Sequence, residues 1–213
     1  MVTGVCALFV GPENIAWAQA IVYGLCAAVV SIIVSNFLAN RGVAPGELLC
    51  WRNGVKAEGE NRLWWSGDGT RGGRFAASMA VGVLAGAALG LLARGYIALL
   101  LNFPALAEMI HASQEQMAKV PGLKLSYGLI AVAFAPFAEE YLFRGLLFRA
   151  LDREWGGWRA VAASAALFAI LHPPLAWLPV GLLGIACALL FKNTGRLAPA
   201  MILHLVYNAV VLV

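Results

Sequence analysis

The sequence predicts an all-α, polytopic transmembrane bundle of about six spans with one amphipathic interfacial helix. Three observations carry that expectation. Hydrophobic residues make up 62% of the chain and charged ones only 12%, with a mean hydropathy of +0.80, whereas a soluble domain carries roughly 25% charge. Apolar stretches close to the ~20 residues that cross the hydrocarbon layer recur along the chain. Basic residues gather in alternate connecting segments, the pattern that marks cytoplasmic loops. In hydrocarbon a backbone must satisfy its own N–H and C=O groups, so these stretches are expected to be helices.

Taken in order, residues 15–39 form the first predicted span, and no basic n-region precedes it, so it is expected to be retained and not cleaved as a signal peptide. Residues 41–74 are polar, with scattered Gly and with Trp51, Trp64 and Trp65 suited to a membrane interface, and predict a loop with interfacial pieces. Residues 75–93 form a second span rich in Gly and Ala, whose small side chains allow helices to approach closely. Arg94 and Tyr96 mark its expected far edge, the run to Leu101 either extending the helix or lying along the surface. Residues 103–124 mix Glu108, His111, Glu115 and Lys119 with Leu106, Met109, Ile110 and Met117, as an amphipathic interfacial helix does. His111 lacks a polar partner at helical spacing and is expected to be a surface histidine. Residues 125–148, 158–172, 175–191 and 197–213 supply the remaining spans, with Pro173 and Pro174 ending the fourth and the turn Lys192–Arg196 joining the last two.

An even span count puts both termini on one side. Arg41, Arg52, Lys56, Arg62, Arg71 and Arg74, then Arg149, Arg153 and Arg159, then Lys192 and Arg196 lie on one set of loops, against Arg94, Lys119 and Lys124 on the other. Eleven against three places the basic loops in the cytoplasm and both termini outside it. The net charge of +4 is thus a topological signal, and no basic patch with interleaved aromatics suggests nucleic acid as a partner. Cys6, Cys26, Cys50 and Cys187 are widely spaced with no CxxC, which argues against a disulfide framework or a structural zinc site. The whole chain, 1–213, is expected to be a single membrane domain.

The chemistry concentrates where charge is least welcome. Glu139, Glu140 and Arg144 fall inside the third span, His172 ends the fourth, and His204 and Asn208 lie in the sixth. Ionisable groups in hydrocarbon are functional candidates by default. On a helix Glu140 and Arg144 share a face while Glu139 points about 100° away, so one glutamate can be neutralised in place and its neighbour left free. His204 and Asn208 are likewise one turn apart on one face. The plain reading is polar glue between helices. Two adjacent buried carboxylates exceed what one arginine needs, however, and a base, an orienting partner and oxyanion donors are what water attack on an amide requires.

Glu139-Glu140-Tyr-Leu-Phe-Arg144, Phe168-xxx-His172 and His204-xxx-Asn208 resemble, in order and location, the EExxxR, FxxxH and HxxxN motifs of the CPBP family of intramembrane proteases, which includes the type II CAAX prenyl endopeptidases and bacteriocin-processing or immunity proteins. The motifs fall within residues 125–213, and the first two spans carry none of them. The resemblance implies a helical membrane fold with the site in a cavity between helices. It implies that Glu139 with His172 activates water, that Glu140 with Arg144 holds the arrangement, and that His204 with Asn208 stabilises the oxyanion.

The expected function is an intramembrane endopeptidase that cuts near the membrane-attached end of a peptide or protein, in the inner membrane of a bacterium. Two other classes stay open: a non-catalytic immunity or chaperone-like membrane protein of the same fold, and a small transporter relaying protons through buried Glu and His. No cofactor is favoured. A zinc-dependent version would draw its ligands from Glu139, His172 and His204, which match the count of a catalytic site with an open position, but the chain has no HExxH, and Asn208 and Arg144 suit oxyanion and orienting roles better than zinc.

Overall fold

The computed structural model describes residues 14–43, 49, 71–119 and 122–212, and every element among them is helical, with no strand. The helices are α1 (Ile15–Ala39), α2 (Arg71–Leu100), α3 (Pro104–Lys119), a continuous rod over residues 123–154 here called α4, α5 (Gly157–Ile170), α6 (Trp177–Thr194) and α7 (Leu197–Leu212), with a 3₁₀ turn at Pro174–Ala176. The polar loop expected at residues 41–74, including its three tryptophans, lies largely outside the described residues, as do Cys6 and Cys50; Cys26 and Cys187 are free thiols.

Three helices among the described residues are long and apolar enough to cross a membrane: Ile15–Ala39, Arg74–Leu100 and Pro174–Thr194, with mean hydropathies of 2.2, 2.1 and 2.1. They correspond to the first, second and fifth predicted spans. The fourth and sixth appear as apolar helices of 14 and 16 residues, about 21 and 24 Å long at 1.5 Å per residue. The third lies within α4. The second span runs beyond Ala93 to Leu100, and the reason is visible at Arg94, which donates to the Val210 carbonyl at 3.3 Å. A cation there meets the unpaired carbonyls at the end of α7 and does not stop the helix. The segment 103–124 divides into α3 and the start of α4; α3 is exposed along most of its length, His111 included, with Leu106, Ala107 and Ile110 half-buried.

The helices pack through small residues. Gly82, Gly86 and Gly90 of α2 recur every fourth position and lie on α7: a Cβ at Gly82 would sit 2.6 Å from the Pro199 carbonyl oxygen, and one at Gly90 2.7 Å from Val210 Cβ. Small residues at that spacing let two backbones touch. Gly184 of α6 likewise faces Ala165 of α5, 3.1 Å from its Cα. On α1, Ala16, Ala20 and Ala27 are buried, whereas Ile21, Leu25, Ile32 and Ile33 are each more than half exposed, which is how a lipid-facing helix distributes its apolar side chains. One core cluster joins Tyr141 and Phe148 of α4 to Val161, Phe191 and Met201. A second, around Phe143, Phe168, Leu183, Leu203 and Tyr207, backs the polar residues described next.

Candidate active site

The site is built on an irregular helix. Within α4, residues Ile130–Phe134 and Tyr141–Phe148 are π-helical, on either side of an α-helical Ala135–Glu140. Pro136 explains the first: it lacks an N–H, and its ring would strike the carbonyl four residues earlier in a regular helix, so the preceding turn widens. In the wider register Ala135 N–H bonds the Ile130 carbonyl. The next carbonyl, Ala131, would look to Pro136 for a donor and finds none. Asn208 of α7 supplies it, donating from Nδ2 at 2.7 Å. One amide hydrogen of Asn208 is thereby used and the other is left.

The two neighbouring glutamates have different fates. Glu140 and Arg144 are wholly buried, and Arg144 donates to Glu140 Oε1 at 3.0 Å and to the Gly184 carbonyl at 3.0 Å. The Arg144 guanidinium also lies over the Phe168 ring, 4.7 Å from its centroid. Glu140 Oε1 receives a second bond, from His204 Nδ1, at 3.0 Å. A carboxylate is an acceptor only, so His204 carries its proton on Nδ1 and turns Nε2 the other way. That Nε2 stands 3.7 Å from Glu139 Oε2. His172 is fixed by the same device: Nδ1 donates to the Phe168 carbonyl at 2.9 Å, leaving Nε2 unprotonated in the neutral ring. The His172 carbonyl in turn accepts from Trp177 Nε1 at 2.8 Å, which secures the turn between α5 and α6. Phe168 packs against both imidazoles, at 4.9 and 5.6 Å between centroids.

Glu139, His172, His204 and Asn208 all line a cavity of about 570 Å³. Glu140 and Arg144 stand behind its wall. The structure therefore brings four of the six sequence-derived candidates to one wall and places the other two in support. Glu139's close ionisable contact is with His204, and His172 lines the same cavity. Among the described residues no group of three or more His, Cys, Asp or Glu side chains is arranged to hold a metal ion.

Sequence reasoning missed other residues of the cavity. Tyr23 of α1, Tyr96 of α2 and Gln114 of α3 also line it. A tyrosine in an apolar span has no sequence signal that separates it from ordinary packing, and only the fold could show these three.

Residues 121–210 match the family model described as Rce1-like, type II CAAX prenyl endopeptidase. That stretch holds all three motifs, and the match is consistent with a CPBP family protease, as the motif resemblance implies. The family so described is one of intramembrane proteases, and the three helices long and apolar enough to cross a membrane agree with it. No curated protein and no solved structure matches the chain.

Proposed function

We propose that the protein is a metal-free intramembrane endopeptidase in which Glu139 is the general base. A single observation carries this: of two adjacent glutamates, one is sealed in a pair with Arg144 and the other faces a cavity alongside two oriented imidazoles and an amide. Glu139 takes a proton from water as the oxygen attacks the scissile carbonyl carbon, and His172 Nε2 shares the proton on the cavity side. The oxyanion that forms is met by the second Nδ2 hydrogen of Asn208 and by His204 Nε2, which takes over the water proton from Glu139 across their 3.7 Å contact and returns it on collapse. Collapse breaks the C–N bond, and the departing amine takes the proton from Glu139. Glu140, held by Arg144, fixes the tautomer and angle of His204 and never meets substrate. The donor set favours this path over a metal, because Asn208 and Arg144 suit oxyanion and orienting roles better than zinc ligation.

The substrate is a membrane-anchored peptide or protein cut near its attached end, and the setting is a bacterial inner membrane. The chain crosses it about six times as one domain, with α3 at the interface, both termini outside the cytoplasm and the catalytic motifs in residues 125–213. The test is to incubate the detergent-purified protein with peptides from neighbouring membrane proteins, with and without a chelator, beside Glu139→Gln. Cleavage by the wild type, resistant to the chelator and abolished in the variant, is the expected result. Equal cleavage by wild type and variant refutes the assignment of the base.

A further inference from the structure

The cavity that holds the polar groups is closed at one end and opens at the other. His204 of α7 and Ala93 of α2 line its inner end and are buried. The two helices run in the same direction, Gly82 lying on Pro199 and Gly90 on Val210, so Leu212 and Leu100 mark a common outer end, and both line the cavity half-buried. Ile110 and Gln114 of α3 complete that rim. From His204 to Leu212 this arm runs about 12 Å at 1.5 Å per residue, the length of about three to four residues of extended chain. We propose that the arm holds an extended, apolar segment of the substrate beside the scissile bond, and that Gln114 binds its backbone. This rests on the reading of the cavity as the site of a peptidase.

Helix phase brings Gln114 to the cavity. Leu106, Ile110 and Gln114 follow one another at four-residue steps and share a face of α3, and Leu106 and Ile110 are among its half-buried residues. Glu108, Glu115 and Lys119 fall on the far side and are exposed. α3 packs on the start of α4, so it turns its charges away from the cavity and offers it one aliphatic side chain and one uncharged amide. Gln114 is itself exposed, as a group on an open rim is.

The chemistry of a bound peptide calls for such a group. Each residue that enters the arm brings an N–H and a C=O, and burying them unpaired is costly. The walls are helices, whose backbone groups bond among themselves and offer no strand edge. The partners must therefore be side chains. Asn208 is held by the Ala131 carbonyl, and Tyr96 and Tyr127 bring one hydroxyl each. Of the side chains that line the outer part of the cavity, Gln114 is the one with both a carbonyl acceptor and an NH₂ donor, the complement of a peptide group. Two bonds to one peptide unit fix the register of the chain, and hence which bond lies beside Glu139. The apolar walls around it, Leu100 and Ile110 among them, select apolar side chains.

Gln114→Leu removes both polar atoms at an exposed position, where the fold does not depend on them. The probe is a dansylated hexapeptide of alternating Leu and Ala, with ester analogues that each replace one amide N–H by oxygen, titrated by fluorescence anisotropy against the Glu139→Gln protein in nanodiscs. Saturable binding is expected, weakened about three- to tenfold by Gln114→Leu, the size of a neutral hydrogen bond. One ester analogue is expected to lose the same factor in the parent and nothing further in Gln114→Leu, since the two changes remove one interaction. Glu115→Gln, on the far face of α3, is expected to bind as the parent does. In the active enzyme Gln114→Leu is expected to raise KM by the same factor with kcat within about twofold. Unchanged or tighter binding in Gln114→Leu overturns the proposal, as do ester analogues that lose equally in both proteins, or equal weakening by Glu115→Gln. Absence of saturable binding refutes an apolar segment as the occupant. If Glu139→Gln cleaves as well as the wild type, the assignment of the base fails separately, and the part played by Gln114 is then read from KM.

Discussion

Glu139→Gln and Glu140→Gln are the same chemical change one residue apart, and the structure requires opposite outcomes in stability. Glu140 is fully buried and accepts from Arg144 Nη1 and His204 Nδ1, both at 3.0 Å. A glutamine there keeps one acceptor oxygen but turns an NH₂ toward its donors and removes the charge. Arg144, fully buried, is left with the Gly184 carbonyl and the face of Phe168. Breaking one side of a buried pair costs about 3–5 kcal/mol, because the remaining charge is uncompensated, which is a large share of a total of about 5–15 kcal/mol. For a chain of this size the melting temperature is expected to drop by about 6–20 °C. Glu139 is partly exposed to the cavity, and its nearest cationic contact is at 3.7 Å, so Glu139→Gln is expected to stay within about 1 kcal/mol of the wild type, as at an exposed ion pair, while losing cleavage by about a hundredfold or more. Both variants lose activity, since freeing His204 Nδ1 also disorders the oxyanion site, and thermal unfolding in detergent is the assay that separates them. Equal melting temperatures for the two variants would refute the division of roles between the neighbouring carboxylates.

Three further outcomes are expected. Gly86→Ala places a Cβ against the Leu203 backbone, within 3.2 Å of its carbonyl carbon, whereas a Cβ at Gly95 meets nothing. The first is expected to destabilise by about 1–3 kcal/mol through overpacking and the second to be neutral or stabilising by up to about 1 kcal/mol, both read by thermal unfolding. Asn208→Ala removes the donor to the Ala131 carbonyl and the second amide hydrogen together, and kcat is expected to fall about a hundredfold, the usual effect of losing an oxyanion donor; a kcat within twofold of wild type, at about equal KM, would remove Asn208 from the mechanism. Treatment with a zinc chelator is expected to leave the cleavage rate unchanged, and a loss restored by added zinc would show that the histidines regroup around a metal.

The long spans were legible because length and hydropathy alone define them: α1, α2 and α6 needed no tertiary information. Their ends were less so. The run from Tyr96 to Leu101 could extend α2 or lie along the surface, and it extends the helix to Leu100, since a cation can continue a helix when another helix offers its carbonyl ends, as α7 does at Val210. Arg144, Glu140, His172 and His204 stood out because charge and imidazole are rare in apolar segments, and the i, i+4 spacing already paired Glu140 with Arg144. The bond from His204 to Glu140 was not readable, since it joins residues 64 positions apart. Tyr23 gave no signal at all. Phenols are common in membrane helices, and its place on the cavity comes only from the packing of α1 on α4, where Gly24 meets Phe134.

The irregular backbone and the polar site have one cause. A polar side chain inside a membrane bundle needs a partner, and a regular helix has no carbonyls to spare. Pro136 releases one at Ala131, eight residues before Glu139 on the same helix, and Asn208 is held by it at 2.7 Å. The proline that widens α4 therefore does two things with one missing N–H: it opens the turn where α1 docks through Gly24 and Phe134, and it orders the Asn208 amide. A regular helix through residues 130–140 would satisfy its own carbonyls and leave Asn208 to find another partner. The π-helical turn is thus a condition of the site, and the residues that make it irregular belong to the same design as those that carry its charge.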